Sequence, residues 1–139
     1  MPRPLILLNA DVEPEGSRNT LRMRLPAAYG DAVAESGGLP LAVSSTLPPE
    51  ALREAVARAD GVLFIGGEDY PPAWFDEAKH PETRELHPVR AAADRVLAET
   101  ALARRLPVFG ICGGHQLLAL ACGGRLIQHL PQAAAHTDN

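Results

Sequence analysis

The chain has 139 residues, 46% of them hydrophobic and 22% charged, with 17 acidic and 13 basic side chains and a formal net charge of −4 at pH 7. That length, residues 1–139, is at most one domain's worth of chain, since domains usually run to about 100–150 residues, and the composition excludes a disordered tail or a fibrous chain. No basic patch dominates, so nucleic acid is not an expected partner, and no apolar run approaches the ~20 residues of a membrane span.

Pro4 to Asn9 reads as a buried strand, cut short by Asn9 and Asp11, so no secretory leader is expected. Residues 18–36 place Leu21, Leu25, Ala28 and Val33 at near-helical spacing, predicting a helix that Pro26 breaks or kinks and Gly37-Gly38 ends. Leu39 to Val43 reads as a second strand. Pro48-Pro49-Glu50 opens a helix through Ala59, with proline and an acid in the favoured first turn and Leu52, Ala55, Val56 and Ala59 on one face. Gly61 to Ile65 is a third strand, stopped by Gly66-Gly67.

Glu68 to Pro88 is proline-rich and aperiodic, and reads as a long irregular surface loop. Val89 to Arg105 is helical in pattern, Leu106 to Ile111 reads as a fourth strand, and a helix over residues 115–122 ends at Gly123-Gly124. Arg125 to Gln128 reads as a fifth strand, and Pro131 to Asn139 as unstructured. This alternation predicts an α/β fold, a mostly parallel sheet with helices on both faces. Ligands of such sheets bind beyond the carboxyl ends of the strands, where Gly66-Gly67 and the segment from Gly110 to Gly114 leave the predicted strands.

Gly110-Ile111-Cys112-Gly113-Gly114-His115-Gln116 follows an apolar strand and opens a helix. That is the setting of a nucleophile elbow, G-x-nucleophile-x-G, with Cys112 as the nucleophile. Glycines at 110 and 114 suit a sharp turn that brings backbone segments together. The helix N-terminus favours a thiolate, and the Gly113 N–H can point at a developing oxyanion. Cys122 lacks this context and reads as a core residue. Two cysteines are too few for a disulfide scaffold, which suits a reducing cytoplasmic setting.

The elbow resembles the G-[IV]-C-x-G-H-Q motif of class I glutamine amidotransferases, and Val62 to Asp69 resembles the upstream G-G-x-D motif of that superfamily. The γ-glutamyl hydrolase branch, which includes γ-glutamyl-γ-aminobutyrate hydrolase, is the nearest in pattern: it has G-G-E-D, a proline-rich loop, an Arg at the start of the next helix, and Gly-Gly after the elbow helix. The resemblance implies a flavodoxin-like domain and attack by Cys112 on a γ-amide carbonyl to give a γ-glutamyl thioester. It also implies an oxyanion hole from the N–H groups of Gly67 and Gly113, and substrate binding by Gln116 and Arg90. It implies no cofactor and no metal. Three departures stand out. Arg90-Ala91-Ala92-Ala93-Asp94 replaces R-D-x-x-E, Ile65 replaces a small or hydroxylated residue, and Gly113 replaces a larger one.

The family's catalytic His and Glu, as H-x-E or H-P-E, lie further downstream and have no counterpart in matching context here. The sheet is therefore expected to be incomplete at the C-terminus and the chain alone to turn over little. It reads as a fragment, a truncated gene product or half of a two-chain enzyme. An uncovered sheet edge would favour a homo-oligomer or a complementing fragment. His115 has a structural role at the elbow in the family; His129 and His136 are weak substitutes for the base; His80 and His87 are expected in solvent.

Among the alternatives is a non-catalytic domain of the same fold that binds a ligand or partner. The thiol-elbow proteases and chaperones resemble A-x-C-x-G, with an acid near the first strand that Glu13 or Glu15 would have to supply. A zinc set of Cys112, His115, Cys122 and His129 has poor spacing, and Gly66-Gly67 lacks a phosphate-loop pattern. The small-molecule γ-glutamyl substrate keeps its amine open. Tyr70, Trp74 and Phe75 either line the pocket mouth or anchor the loop.

Overall fold

The computed structural model describes residues 1–17 and 19–131. Along the chain run β1 (Leu5–Leu8), β2 (Asp11–Glu15), β3 (Thr20–Arg24), α1 (Ala27–Glu35), β4 (Leu39–Ala42), α2 (Pro49–Ala57), β5 (Gly61–Phe64), α3 (Pro88–Ala103), β6 (Val108–Gly110) and α4 (Gly113–Ala121). The four apolar runs β4, β1, β5 and β6 pair in that spatial order, all parallel. Counted along the chain as sheet strands, this is the order 2-1-3-4 with which the flavodoxin-like arrangement begins. The order reverses between β1 and β5, so the crevice beyond their carboxyl ends is the topological switch point.

Alternation along the strands assigns the two faces. Leu7, Val62 and Phe64 point to one face and join Leu52 and Val56 of α2, Leu97 and Ala98 of α3 and Leu117 of α4 in a single core. Leu8, Leu63 and Ile65 point to the other, where Val33 and Tyr29 of α1 cover them. Phe109, opposite Leu63 in the register, is 64% exposed on that second face, beside half-covered Ile111. No helix among the described residues is long and apolar enough to cross a membrane.

Several expectations are corrected. The predicted helix over 18–36 begins only at Ala27; before it, Asp11–Glu15 and Thr20–Arg24 pair antiparallel as a hairpin, with Gly16 at φ +62°. Its register sets Glu13 opposite Arg22 and Asp11 opposite Arg24, and both pairs form ion pairs. Cross-strand charge pairing thus overrides the helical spacing of a few leucines.

The segment 125–128 is not a strand. Its side chains lash it to the long loop instead. Gln128 Oε1 accepts from the His80 N–H at 2.8 Å and the Thr83 hydroxyl at 3.0 Å, and its Nε2 donates to Glu77 and the Ala78 carbonyl, both at 2.9 Å. Arg125 pairs with Glu77, and the rings of His80 and His129 stack 4.9 Å apart.

The loop from Glu68 to Pro88 is not merely surface. Tyr70, Phe75, Thr83 and Leu86 are buried, and Pro72–Phe75 form a 3-10 turn. Its neck is closed at Asp69, which accepts from Leu86 N and donates to the Arg84 carbonyl, while its carboxylate takes the Arg84 N–H at 2.9 Å. Tyr70 and Phe75 therefore anchor the loop, and Trp74 packs between Tyr70 (ring centroids 5.4 Å apart) and the Arg95 guanidinium. His80 and His87 are half-buried rather than solvated; His87 caps α3 by accepting from Val89 N. Of the expected unstructured tail, residues 132–139, including His136, lie outside the described residues.

Candidate functional site

β6 hands over to α4 through a kink at Cys112, the N-cap residue, with φ +51° and ψ −111°. A side chain with positive φ is strained, and such positions cluster at functional sites. Two glycines allow the kink. A Cβ on Gly110 would stand 2.5 Å from the Gly114 carbonyl carbon, and a Cβ on Gly114 would collide with the Phe64 carbonyl at the end of β5. Gln116 N–H donates to the Cys112 carbonyl at 3.2 Å, closing the first turn of α4. The Cys112 side chain is exposed at the tip.

The neighbouring strand brings its own glycines to the same place. A Cβ on Gly66 would lie 3.5 Å from Cys112 Cβ, and one on Gly113 would lie 3.3 Å from Gly67 N. Cys112, Gly113 and Gly67 are therefore brought together as one surface, with Gln116 half-buried one turn along α4. His115 is exposed beside it. Cys122, expected in the core, is an exposed free thiol at the C-cap of α4. Among the described residues no three His, Cys, Asp or Glu side chains gather into a metal site. Glu13 and Glu15, the acids that a protease-type elbow would require, are committed to Arg22 in the hairpin.

Arg90 stands elsewhere than at the mouth. It is fully buried behind the Gly66-Gly67 loop, 0% exposed, as is Asp94. Its Nε donates to Asp94 Oδ2 at 3.2 Å, and its Nη2 donates to the Gly66 carbonyl at 2.8 Å and more weakly to the Ile65 carbonyl at 3.4 Å. Nη1 lies 3.2 Å from Asp11 Oδ1, yet out of line for a hydrogen bond. Asp94 also accepts from Asn9 Nδ2 at 2.9 Å and from the Tyr70 hydroxyl at 2.7 Å. Asn9 returns the link by accepting the Ile65 N–H at 2.7 Å.

The electrostatics follow from this burial. Burial raises the Asp94 pKa, while Arg90, Asn9 and Tyr70 pull it down; three donors aimed at its oxygens hold it as the acceptor. Burial works against the Arg90 charge, but Asp94, Tyr70 and Asp11 outweigh it, and its pKa is raised. Burial, then the adjacent carboxylate of Asp94, push the Tyr70 phenol far above its usual value.

Sequence reasoning missed Asn9, Tyr29 and the support role of Asp11. Tyr29, on α1, accepts the Gly66 N–H at 3.2 Å. The one signal available for Asn9 was a polar residue closing an apolar strand at the end where ligands bind.

The sequence is similar to that of known proteins. Residues 4–139 match the family model described as Peptidase C26. A Mycobacterium tuberculosis protein provisionally named a glutamine amidotransferase is 35% identical over 116 residues, covering 83% of this chain and 38% of the relative. The γ-glutamyl-γ-aminobutyrate hydrolase of Escherichia coli O157:H7 is 31% identical over 121 residues, covering 83% and 46% respectively. Protein NtpR of Enterococcus hirae is 31% identical over 105 residues, covering 76% and 44%. The chain thus spans less than half the length of these curated relatives.

Proposed function

This chain belongs to the Peptidase C26 family, and from that premise we propose that it carries the acylating part of a cysteine-dependent γ-glutamyl amide hydrolase or amidotransferase. The observation that supports the reading is an exposed thiol on a positive-φ elbow at a helix N-terminus, with a second glycine loop packed against it. The Cys112 Sγ adds to the γ-carbonyl carbon, and the oxyanion so formed accepts hydrogen bonds from the N–H groups of Gly67 and Gly113. Collapse breaks the C–N bond, releases the amine and leaves a γ-glutamyl thioester on Cys112. Water then yields glutamate; an accepting amine in its place yields a transferred γ-glutamyl group.

The thiol proton must pass through a base to the departing amine. We assign that task to the family's downstream His and Glu, in the portion of the fold that the relatives have and this chain does not cover. Among the described residues β6 has no partner strand on its outer edge, beside exposed Phe109, and there a complementing segment or second chain would extend the sheet. A reducing compartment such as the cytoplasm keeps Cys112 and Cys122 as thiols. In this reading Gln116, half-buried one turn along α4, contacts the substrate, and no cofactor enters the scheme.

The test compares two exposed thiols of one molecule. Iodoacetamide alkylates Cys112 at least about ten times faster than Cys122 if the elbow activates its sulfur. Alkylation of Cys112 no faster than that of Cys122 or a free model thiol overturns the proposal.

A further inference from the structure

Gly66 is held from opposite sides of the sheet. Its N–H donates to the Tyr29 hydroxyl on the α1 side at 3.2 Å, and its carbonyl accepts from Arg90 Nη2 on the α3 side at 2.8 Å. The carbonyl of Gly66 and the N–H of Gly67 belong to one peptide plane, and no peptide among the described residues is cis. In a trans plane these two groups point in opposite directions. Drawing the carbonyl inward onto buried Arg90 therefore turns the Gly67 N–H outward. Gly113 packs against this loop, with Gly67 N the nearest atom to where a Cβ on Gly113 would stand, at 3.3 Å.

Both grips are themselves fixed. Arg90 is tied to Asp94, which Asn9 and Tyr70 hold in turn, and the guanidinium packs so closely on Gly67 that any Cβ there would meet it. Tyr29 packs with Leu8, Leu63 and Ile65. Its hydroxyl and the Cys112 Cβ flank Gly66, each within 3.5 Å of where a Cβ on that residue would stand.

We propose that Tyr29 and Arg90 are positioning residues that clamp the Gly66–Gly67 peptide so that the Gly67 N–H faces the carbonyl oxygen of a group bound at Cys112. The proposal rests on the function proposed above and adds what sets the aim of one oxyanion donor. Arg90 acts from behind the loop, through the peptide, and does not touch substrate.

The experiment uses the chain as given and N-acetyl-glutamate γ-(4-nitrophenyl) ester. The acetyl group prevents cyclisation, and the leaving group departs as 4-nitrophenolate without needing a general acid. Cys112 Sγ bonds to the γ-carbonyl carbon, the ester C–O bond breaks, the thiol proton passes to solvent, and one equivalent of nitrophenolate marks acylation. Alkylation by iodoacetamide forms no oxyanion and reads the thiol alone. Loss of a whole oxyanion donor costs about 100–1,000-fold, so a mis-aimed one is expected to slow the burst about ten-fold or more. Tyr29→Phe and Arg90→Lys should each show that slowing while alkylation changes less than about two-fold. Should Arg90→Lys fail to fold, Tyr29→Phe decides alone. A Tyr29→Phe burst at the unmodified rate overturns the clamp, as does an equal fall in burst and alkylation, which a general loosening of the elbow produces. A parent chain with no burst above Cys112→Ser overturns the proposed function, and the clamp with it.

Discussion

Removing the Asp94 carboxylate by Asp94→Leu should destabilise the chain more than any single hydrogen bond would predict. Asp94 is wholly buried and accepts from Arg90 Nε, Asn9 Nδ2 and the Tyr70 hydroxyl. The substitution leaves a buried guanidinium with only Asp11, which is out of line for a hydrogen bond, as its acidic neighbour. Breaking one side of a buried ion pair costs about 3–5 kcal/mol, and each newly unsatisfied neutral donor about 1–3 kcal/mol more. A chain of this size is expected to be stable by roughly 7–20 kcal/mol at ~0.05–0.15 kcal/mol per residue, so the loss is a large fraction of the whole. Arg90→Met should cost a similar ~3–5 kcal/mol by stranding the carboxylate. The double variant has no buried charge and should cost clearly less than the sum, with a coupling of about 2 kcal/mol or more. Urea unfolding at pH 7, followed by the fluorescence of the single tryptophan Trp74 and by circular dichroism, gives all three values. Single variants each costing under about 1 kcal/mol, or strict additivity in the double, would refute the view that this pair is a dehydrated hub beneath the glycine loop.

Gly114→Ala drives a Cβ into the Phe64 carbonyl. It should lower stability by about 3 kcal/mol or more, read as a fall in thermal midpoint, and erase any difference in alkylation between Cys112 and Cys122. Tyr70 keeps its proton in the folded chain well above the pH at which the unfolded phenol loses it. Folding stability should therefore fall as pH rises beyond about 10, by up to ~1.4 kcal/mol per pH unit from this group. Tyr70→Phe should unfold more readily at pH 7 yet show a shallower alkaline decline; equal slopes would rule out the phenol as the source. Gln128→Ala removes four hydrogen bonds to the loop segment Glu77 to Thr83. Amide exchange should rise at His80 within that segment, while β1 and β5 keep their protection.

The sheet was legible because each of its strands is a short apolar run closed by glycine, proline or a polar residue, and such runs have few other ways to satisfy their backbone. The hairpin of β2 and β3 was not, because its information is carried by charges. Asp11, Glu13 and Glu15 alternate along one strand and Arg22 and Arg24 along the other, but opposition becomes visible only once the register is known. Leu21 and Leu25, read as a helical stripe, fall on a strand and on the approach to α1. The segment at 125–128 failed for the opposite reason. Its apolar pair Leu126-Ile127 after Gly123-Gly124 resembles a short strand, yet Gln128 finds four partners on the loop, and a side chain so satisfied fixes the segment without any ladder.

At the site, spacing along the chain located what is local and lost what is not. The elbow could be read because Gly110, Cys112 and Gly114 are neighbours in sequence, and the steric demand that selects the glycines arises within that turn and from the strand beside it. Arg90 was read as a substrate contact from its place in a motif. Burial alone decides otherwise: at 0% exposure its charge must be met inside, and Asp94, one helical turn along, meets it. The shortened acid at 94 thus keeps the ion pair without needing the longer side chain. Asp69 of the glycine motif has a comparable explanation, since its carboxylate and backbone close the neck of the long loop. Residues that seem to be chosen for chemistry here hold the Gly66-Gly67 loop and the neck of the segment that follows it. On the proposed function, the chemistry is left to one sulfur and to backbone N–H groups, which sequence motifs register only through the glycines that let them approach.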